Sequence, residues 1–306
     1  MGGVPDYGFA MDLVLRQKIA SMGPVRSLVQ GMLAAVEPIQ RQIRLLDGIL
    51  VGPHQFPDIY ALGEDCARRL GIGVPQIIIY GGMDEFNAYT FATNDVTPMV
   101  ILTSSLAKNY SAPELKFIIG HECGHIHNLH SVYNTAVELL TNPAAKALVQ
   151  QMAGSGLSLG AVQLAAGLIQ GGLQLFMARW SRCAEITSDR AGLICCGDLT
   201  VAQMALAKLT TRGNAGRDGL NIDEYIKQIS LTQATPLRFQ EAFRTHPLIP
   251  RRLEALCLFA QSEIYHRWRP ETPAPISLLD KEELERACGQ VIALVGGAPQ
   301  LGQAEN

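Results

Sequence analysis

No Cys-x-x-Cys pair occurs in this chain, although it has seven cysteines: Cys66, Cys123, Cys183, Cys195, Cys196, Cys257 and Cys288. That absence argues against a separate thiolate zinc site, and an odd number of irregularly spaced cysteines points to a reducing compartment. The adjacent Cys195 and Cys196 read as core residues rather than a redox pair. The N-terminus, Met1-Gly2-Gly3-Val4-Pro5-Asp6, lacks a basic start followed by an apolar run, so secretion is not expected. Asp6 also stands where a myristoylation signal requires Ser or Thr. The expected location is cytoplasmic.

An excess of basic residues is missing too. The formal charge is −3, and Lys and Arg are scattered, so the footprint of a phosphate-binding surface is absent and no nucleic-acid partner is expected. Charge vanishes altogether between Lys146 and Arg179. The resulting stretch, 147–178, is long enough to span a bilayer, but five glutamines and six glycines interrupt it. It reads as a buried helical hairpin or lid, an interfacial membrane-binding helix, or an integral span; membrane association through 147–178 therefore stays open.

What the chain does have is a concentration of histidine. Four of its seven histidines fall between His121 and His130, in a run that contains His121-Glu122-Cys123-Gly124-His125. On a helix, the i, i+4 spacing stacks His121 and His125 on one face about 6 Å apart. Zinc in a catalytic site takes three protein ligands and keeps a fourth position for water, whose pKa falls to roughly 7. Glu122, next to the first imidazole, can take the proton of that water and hand it to a leaving amine. The context supports a helix: Ser111-Ala112-Pro113-Glu114 forms a capping box, and Leu115, Phe117, Ile118 and Ile119 make the segment apolar, as for a buried helix. Cys123 lies about 200° around from His121 and reads as a packing residue, while His127 reads as helix surface. His54 and His266 have no partner pattern.

The best candidate for a third ligand lies 60 residues past His125, in Glu185-Ile186-Thr187-Ser188-Asp189. Glu185 and Asp189 again share a helical face. Glu185 can bind one zinc ion with His121 and His125, while Asp189 orients a ligand imidazole through its other ring nitrogen. Exposed, solvated charges are the alternative, since Arg182 and Arg190 lie close by.

Together with Thr245-His246-Pro247 and Arg252, this order and spacing resembles the HtpX and CAAX-prenyl-protease family of zinc metallopeptidases. Asn87-Ala88-Tyr89 is similar to the Asn-Ala-aromatic segment that precedes the family's active-site helix, and His130 falls where many members carry a further histidine. The resemblance covers roughly 54 to 262. It implies Glu185 as third ligand, Asp189 as its supporting carboxylate, and His246 with Arg252 near the site. His246 could donate to the oxyanion of a tetrahedral intermediate, or fill the open zinc position in a latent form. Arg252 could stabilise the oxyanion, hold the substrate carbonyl, or pair with Glu185 or Asp189. The family usually has a glycine after Asn87-Ala88-Tyr89; here Thr93-Asn94-Asp95 can make that turn.

Gln76–Tyr80, Ala88–Ala92 and Met99–Thr103 are short, β-branched or aromatic, and suggest a small three-stranded sheet. If one strand edges the cleft, as in zincin folds, a protein or peptide substrate adds to it extended, past Asn87, Ala88 and Tyr89. The expected architecture is α+β and mostly helical, a gluzincin-like domain over 54–262. An N-terminal helical extension, 1–53, is broken near Gly23-Pro24 and Glu37-Pro38 and packs on that domain; 263–306 holds a helix over 278–294 and a disordered tail. Helices are also expected over 200–211, with a Thr cap, and 222–231, around a flexible loop at 213–219. The expected activity is a zinc metalloendopeptidase. From another class comes a non-hydrolytic, zinc-containing protein-binding module or chaperone, but a structural zinc needs neither a base nor an open position.

Overall fold

The structure, a computed structural model of the whole chain, describes residues 5–23, 38, 41–81, 86–92, 96–130, 133, 173–212, 220–228, 241 and 244–293. Its helices are α1 (Ala10–Ser21), α2 (Pro57–Leu70), α3 (Ser104–Asn109), α4 (Ala112–His127), α5 (Leu173–Cys196), α6 (Leu199–Thr210), α7 (Ile222–Lys227), α8 (Ile249–Ala260), α9 (Glu263–Trp268) and α10 (Lys281–Ile292). The strands are β1 (Gly48–Leu50), β2 (Gln76–Tyr80), β3 (Ala88–Phe91) and β4 (Met99–Thr103).

The sheet has four strands, in the order β1-β2-β4-β3, where the sequence led us to expect three. β2 and β4 run parallel, with Gln76 opposite Met99, and β1 and β3 pair antiparallel on the outside. The fourth strand, β1, is three residues long, too short for a period of two to show, and its Ile49 and Leu50 continue the helical spacing of residues 41–47. Gly48 lets it approach: a Cβ there would meet Ile78 Cγ2 at 2.4 Å. Alternation then sorts the sheet's two faces. Ile77, Ile79, Val100 and Leu102 enter the main core, whereas Ile78, Tyr80, Met99 and Ile101 form a second cluster with Tyr89 and Phe91. Arg44 covers that second face, its guanidinium 4.8 Å from the Tyr80 ring centre and 5.5 Å from that of Tyr89.

Helix α4 starts as its capping box requires: Glu114 reaches back to accept from the Ser111 backbone N–H at 2.8 Å. Its residues from Leu115 to His125, apart from Lys116, are buried. Helix α5 crosses it where both are stripped of side chains. A Cβ on Gly120 would meet Cys195 Cβ at 2.5 Å, one on Gly124 would meet Ala191 Cβ at 2.7 Å, and one on Gly192 would meet the Phe117 carbonyl oxygen at 2.8 Å. The backbones therefore approach closely enough for short side chains to meet across the seam.

Both ends of the described chain lock onto α5. Arg190, fully buried, donates to the Tyr7 carbonyl at 3.0 Å and pairs with Glu285 of α10 at 2.7 Å, and the other oxygen of Glu285 accepts from Ala10 N–H. The helix expected over 200–211 begins one residue earlier, capped by Asp198 rather than a threonine, with Val201 N–H donating to Asp198 at 3.1 Å. The last helix is shorter than 278–294, because Asp280 and Glu283 close a capping box at its start. The turn at 93–95, the loop at 213–219, residues 229–231 and the tail from 296 lie outside the described residues, as does the uncharged segment except for 173–178, which open α5. Among the described residues no helix is long and apolar enough to cross a membrane.

The glycine seam makes a direct prediction. Gly124→Ala should destabilise the metal-free protein by about 1–3 kcal/mol, the usual range for overpacking, in denaturant unfolding. An unchanged midpoint would mean that the helix pair has slack.

Candidate metal centre

The crossing of α4 and α5 sets three donors face to face. His121 Nε2 and His125 Nε2 are 3.1 Å apart, Glu185 Oε1 is 3.3 Å from His125 Nε2, and Glu185 Oε2 is 3.7 Å from His121 Nε2. All three residues are buried. Tetrahedral zinc bound at 2.0–2.2 Å needs its ligand atoms about 3.3 Å apart, so the donor set fits such an ion in both kind and spacing.

Behind these donors stands a layer of charge. Asp189, one turn past Glu185, accepts from His121 Nδ1 at 2.9 Å, which leaves the Nε2 lone pair free. Arg252 of α8 grips both carboxylates: Nε and Nη2 reach Asp189 at 2.8 and 2.7 Å, and Nη1 reaches Glu185 Oε2 at 3.0 Å. His246 Nδ1 lies 3.1 Å from the same Glu185 oxygen, on a side chain that is 65% exposed. Burial alone would raise the pKa of Glu185, but His246 and Arg252 outweigh it and hold this carboxyl well below the usual range. Asp189 is likewise held low against its burial, by Arg252 and His121. His125 is raised, because the Glu185 carboxylate overcomes the opposing effect of burial.

Glu122 sits beside the donors, 5% exposed, with a partner from the sheet. The Thr90 hydroxyl lies 2.5 Å from Glu122 Oε2 and 3.2 Å from the Glu122 carbonyl oxygen, so it can donate to either and fixes the strand against the helix. Thr90 belongs to β3, which pairs with β4 on one side and ends the sheet on the other. Asn87, just before β3, is pinned to Thr103 through three hydrogen bonds of 2.9–3.1 Å, two of them at its carbonyl. Ala88 and Tyr89 are the first residues of the strand.

The structure thus brings together His121, Glu122, His125, Glu185, Asp189, His246 and Arg252, and lays Ala88 and Tyr89 on the neighbouring edge strand with Asn87 just before it. Of the openings for Arg252, the geometry has the paired one, with its guanidinium engaged by carboxylates. Cys123 is a buried packing residue, its thiol pushed up by burial. His127 departs from the surface position read from the sequence: it is half-buried, 3.0 Å from the Tyr7 hydroxyl, because the N-terminal segment covers that face of α4. Two participants were missed, Thr90 and Asp12. For Thr90 the one signal was alternation, which puts it on the same face of β3 as Ala88 but names no partner. Asp12 carried a weaker signal, as the one acid in an otherwise apolar stripe with Leu15 and Ile19.

The pattern of Peptidase family M48 matches residues 53–258, and the chain belongs to that family, which it shares with proteins named HtpX. It is 30% identical over 201 residues to "Plastoglobule-localized metallopeptidase 48, chloroplastic" of Arabidopsis thaliana, a match covering 64% of this chain and 53% of the plant protein. The chain thus spans about half the length of that relative. With "Protease HtpX" of Stutzerimonas stutzeri it shares 26% identity over 206 residues, 63% of this chain and 69% of that one. The crystal structure of S. mikatae Ste24p aligns over 80% of this chain and 61% of its own, at 17% identity and a TM-score of 0.48.

The carboxylate clamp can be tested without any metal. Glu185 and Asp189 have folded pKa values below their unfolded values of about 4, so the stability they contribute is present above that pH and is lost as pH falls through the folded values. Arg252→Met should cost the metal-free protein about 3–5 kcal/mol at pH 7 by stranding two buried carboxylates. The deficit relative to the parent should shrink towards pH 4, where the stranded groups can take up protons. Urea unfolding at both pH values measures this, and a deficit that is the same at each would count against the clamp.

Proposed function

We propose that the chain is a zinc-dependent metalloendopeptidase acting on protein or peptide substrates. His121, His125 and Glu185 hold one zinc ion, which when bound lowers the pKa of a water molecule and polarises the scissile carbonyl. Glu122 is the general base: its carboxylate takes a proton from the attacking water and passes it to the leaving amine. Thr90 holds that carboxylate in place, and Asp189 keeps His121 in the tautomer with Nε2 unprotonated. Arg252 balances the charge of Glu185 and Asp189. His246, the exposed member, donates towards the negative charge that develops on the carbonyl oxygen. An extended substrate adds along β3, past Asn87, Ala88 and Tyr89, through main-chain hydrogen bonds. The catalytic unit is 54–262, supported by the flanking segments 1–53 and 263–306.

One observation carries this reading: two imidazole nitrogens and a carboxylate converge at 3.1–3.7 Å, with a second, hydroxyl-anchored carboxylate next to them. A purely structural zinc gives no reason for the second carboxylate. The second reading is a latent form, in which the His246 imidazole, 3.1 Å from Glu185, would take the place of the attacking water.

Metal content and peptide-library cleavage of the parent and of Glu122→Gln test the proposal. The variant should keep its zinc and lose cleavage by about 100- to 10,000-fold. Equal cleavage by both removes Glu122 from the mechanism, and zinc without cleavage in the parent favours the binding module or the latent form. His246→Ala separates those two roles of the imidazole: activity that rises marks it as a block, and activity that falls marks it as a donor in the transition state.

A further inference from the structure

Asp189 supports His121 directly, but among the described residues no carboxylate touches the far nitrogen of His125. Its Nδ1 instead lies 3.1 Å from His130 Nδ1, and His130 Nε2 lies 2.8 Å from Asp12 Oδ2. Asp12 belongs to α1, outside the region 53–258 that matches the family. His130 is fully buried and Asp12 is 2% exposed. Asp12 is itself held by Trp180 Nε1 at 3.0 Å on Oδ1 and by the Thr187 hydroxyl at 2.7 Å on Oδ2.

Only one arrangement of protons satisfies this row. A His125 that offers the Nε2 lone pair to a metal must carry its hydrogen on Nδ1, and that hydrogen needs an acceptor. His130 Nδ1 accepts it only if its own hydrogen is on Nε2, and Nε2–H then points at the Asp12 carboxylate. With the opposite tautomer of His130, two N–H groups would face each other at one end and two lone pairs at the other. The carboxylate at one end therefore decides which nitrogen is free at the other.

The backbone is bent to make this contact. Leu129, between the end of α4 and His130, adopts a left-handed conformation at φ 58°, which is uncommon for a residue with a side chain, and is 57% exposed. The turn folds His130 back beneath His125. A second link from α1 holds it, since the Arg16 guanidinium donates to the Asn128 carbonyl. A strained turn persists where its surroundings over-determine it, and here they do so around a ligand histidine.

We propose that Asp12 and His130 are positioning residues of the metal centre, forming a carboxylate–imidazole relay by which the N-terminal helix fixes His125 with Nε2 free for the ion. The proposal rests on His125 being a metal ligand, as in the function proposed above. It makes α1 a part of the site rather than an attachment to it. The two ligand histidines are then each backed by a carboxylate, one in contact and one through an intervening ring.

Zinc affinity of the metal-free full chain, measured by chelator competition, tests this without any substrate. His130→Asn and the isosteric Asp12→Asn should each weaken zinc about 10- to 100-fold. The double variant should be no weaker than the worse single, because both break one chain of contacts. Glu285→Gln is the control: it loosens the contact between α10 and the start of α1 without touching the relay, so it should lower the melting temperature of the metal-free protein and leave zinc affinity near the parent's. If His130→Asn does not fold, Asp12→Asn carries the test alone. Variants that bind zinc like the parent, even when less stable, would falsify the relay and leave His130 a structural residue. Additive losses in the double variant would also overturn it. A parent that binds no zinc overturns both the relay and the reading it rests on, whereas a parent that binds zinc and loses it in His125→Ala, but not in the relay variants, overturns the relay only.

Discussion

The close approach of α4 and α5 is the constraint on which the rest depends. Glutamate and aspartate side chains are short, and they reach histidines on another helix only where the backbones nearly touch. Gly120, Gly124 and Gly192 create that condition by leaving out their own Cβ atoms where Cys195, Ala191 and Phe117 press against them. His121 and His125, one turn apart on α4, then face Glu185 and Asp189, one turn apart on α5. The three glycines contribute no chemistry, yet the ligand spacing is set by their absence of bulk.

Close approach creates an electrostatic problem that the neighbouring elements resolve. Glu185, Asp189 and Glu122 are all buried, and burial works against the charged forms of Glu185 and Asp189. Arg252 spans two of them, and Thr90 donates to the third. Each of these partners comes from a different element, α8 and β3, so the tertiary fold and the ionisation state of the site are a single arrangement. The cost of burying such groups is offset only while all partners are in place, and for that reason the centre is rigid as a unit rather than residue by residue.

The helical part of this arrangement was legible in the sequence, because i, i+4 spacing is a local property. His121 with His125 and Glu185 with Asp189 announce a shared face before any contact is known. What the sequence did not disclose is contact between elements. Thr90 is one threonine in a short strand, and its value lies in a helix it meets only after folding. Asp12 is separated from His130 by more than a hundred residues, and a single acid in an amphipathic helix is most simply taken for a surface charge. β1 was hidden for a third reason: three residues cannot display a period, and its pairing depends on a glycine approaching β2. The sequence also favoured a surface position for His127, since nothing local indicated that residues near Tyr7 would cover it.

Exposure adds direction to the centre. His121, His125, Glu122, Glu185, Asp189, Arg252, His130 and Asp12 are all buried, whereas His246 is largely open and Asn87 is exposed just before the edge strand. The supporting residues therefore lie on the sealed side, where low dielectric strengthens their hydrogen bonds and excludes competing water. The accessible groups lie on the other. Under the function proposed above, an incoming chain would meet the outer edge of β3, with which no described strand pairs, before it meets the donors. Main-chain pairing along β3 would bring its carbonyls past Glu122, because Thr90 ties that strand to that carboxylate. Under the function proposed above, the hydroxyl contact would set the distance between the strand that aligns a peptide and the carboxylate that acts on it.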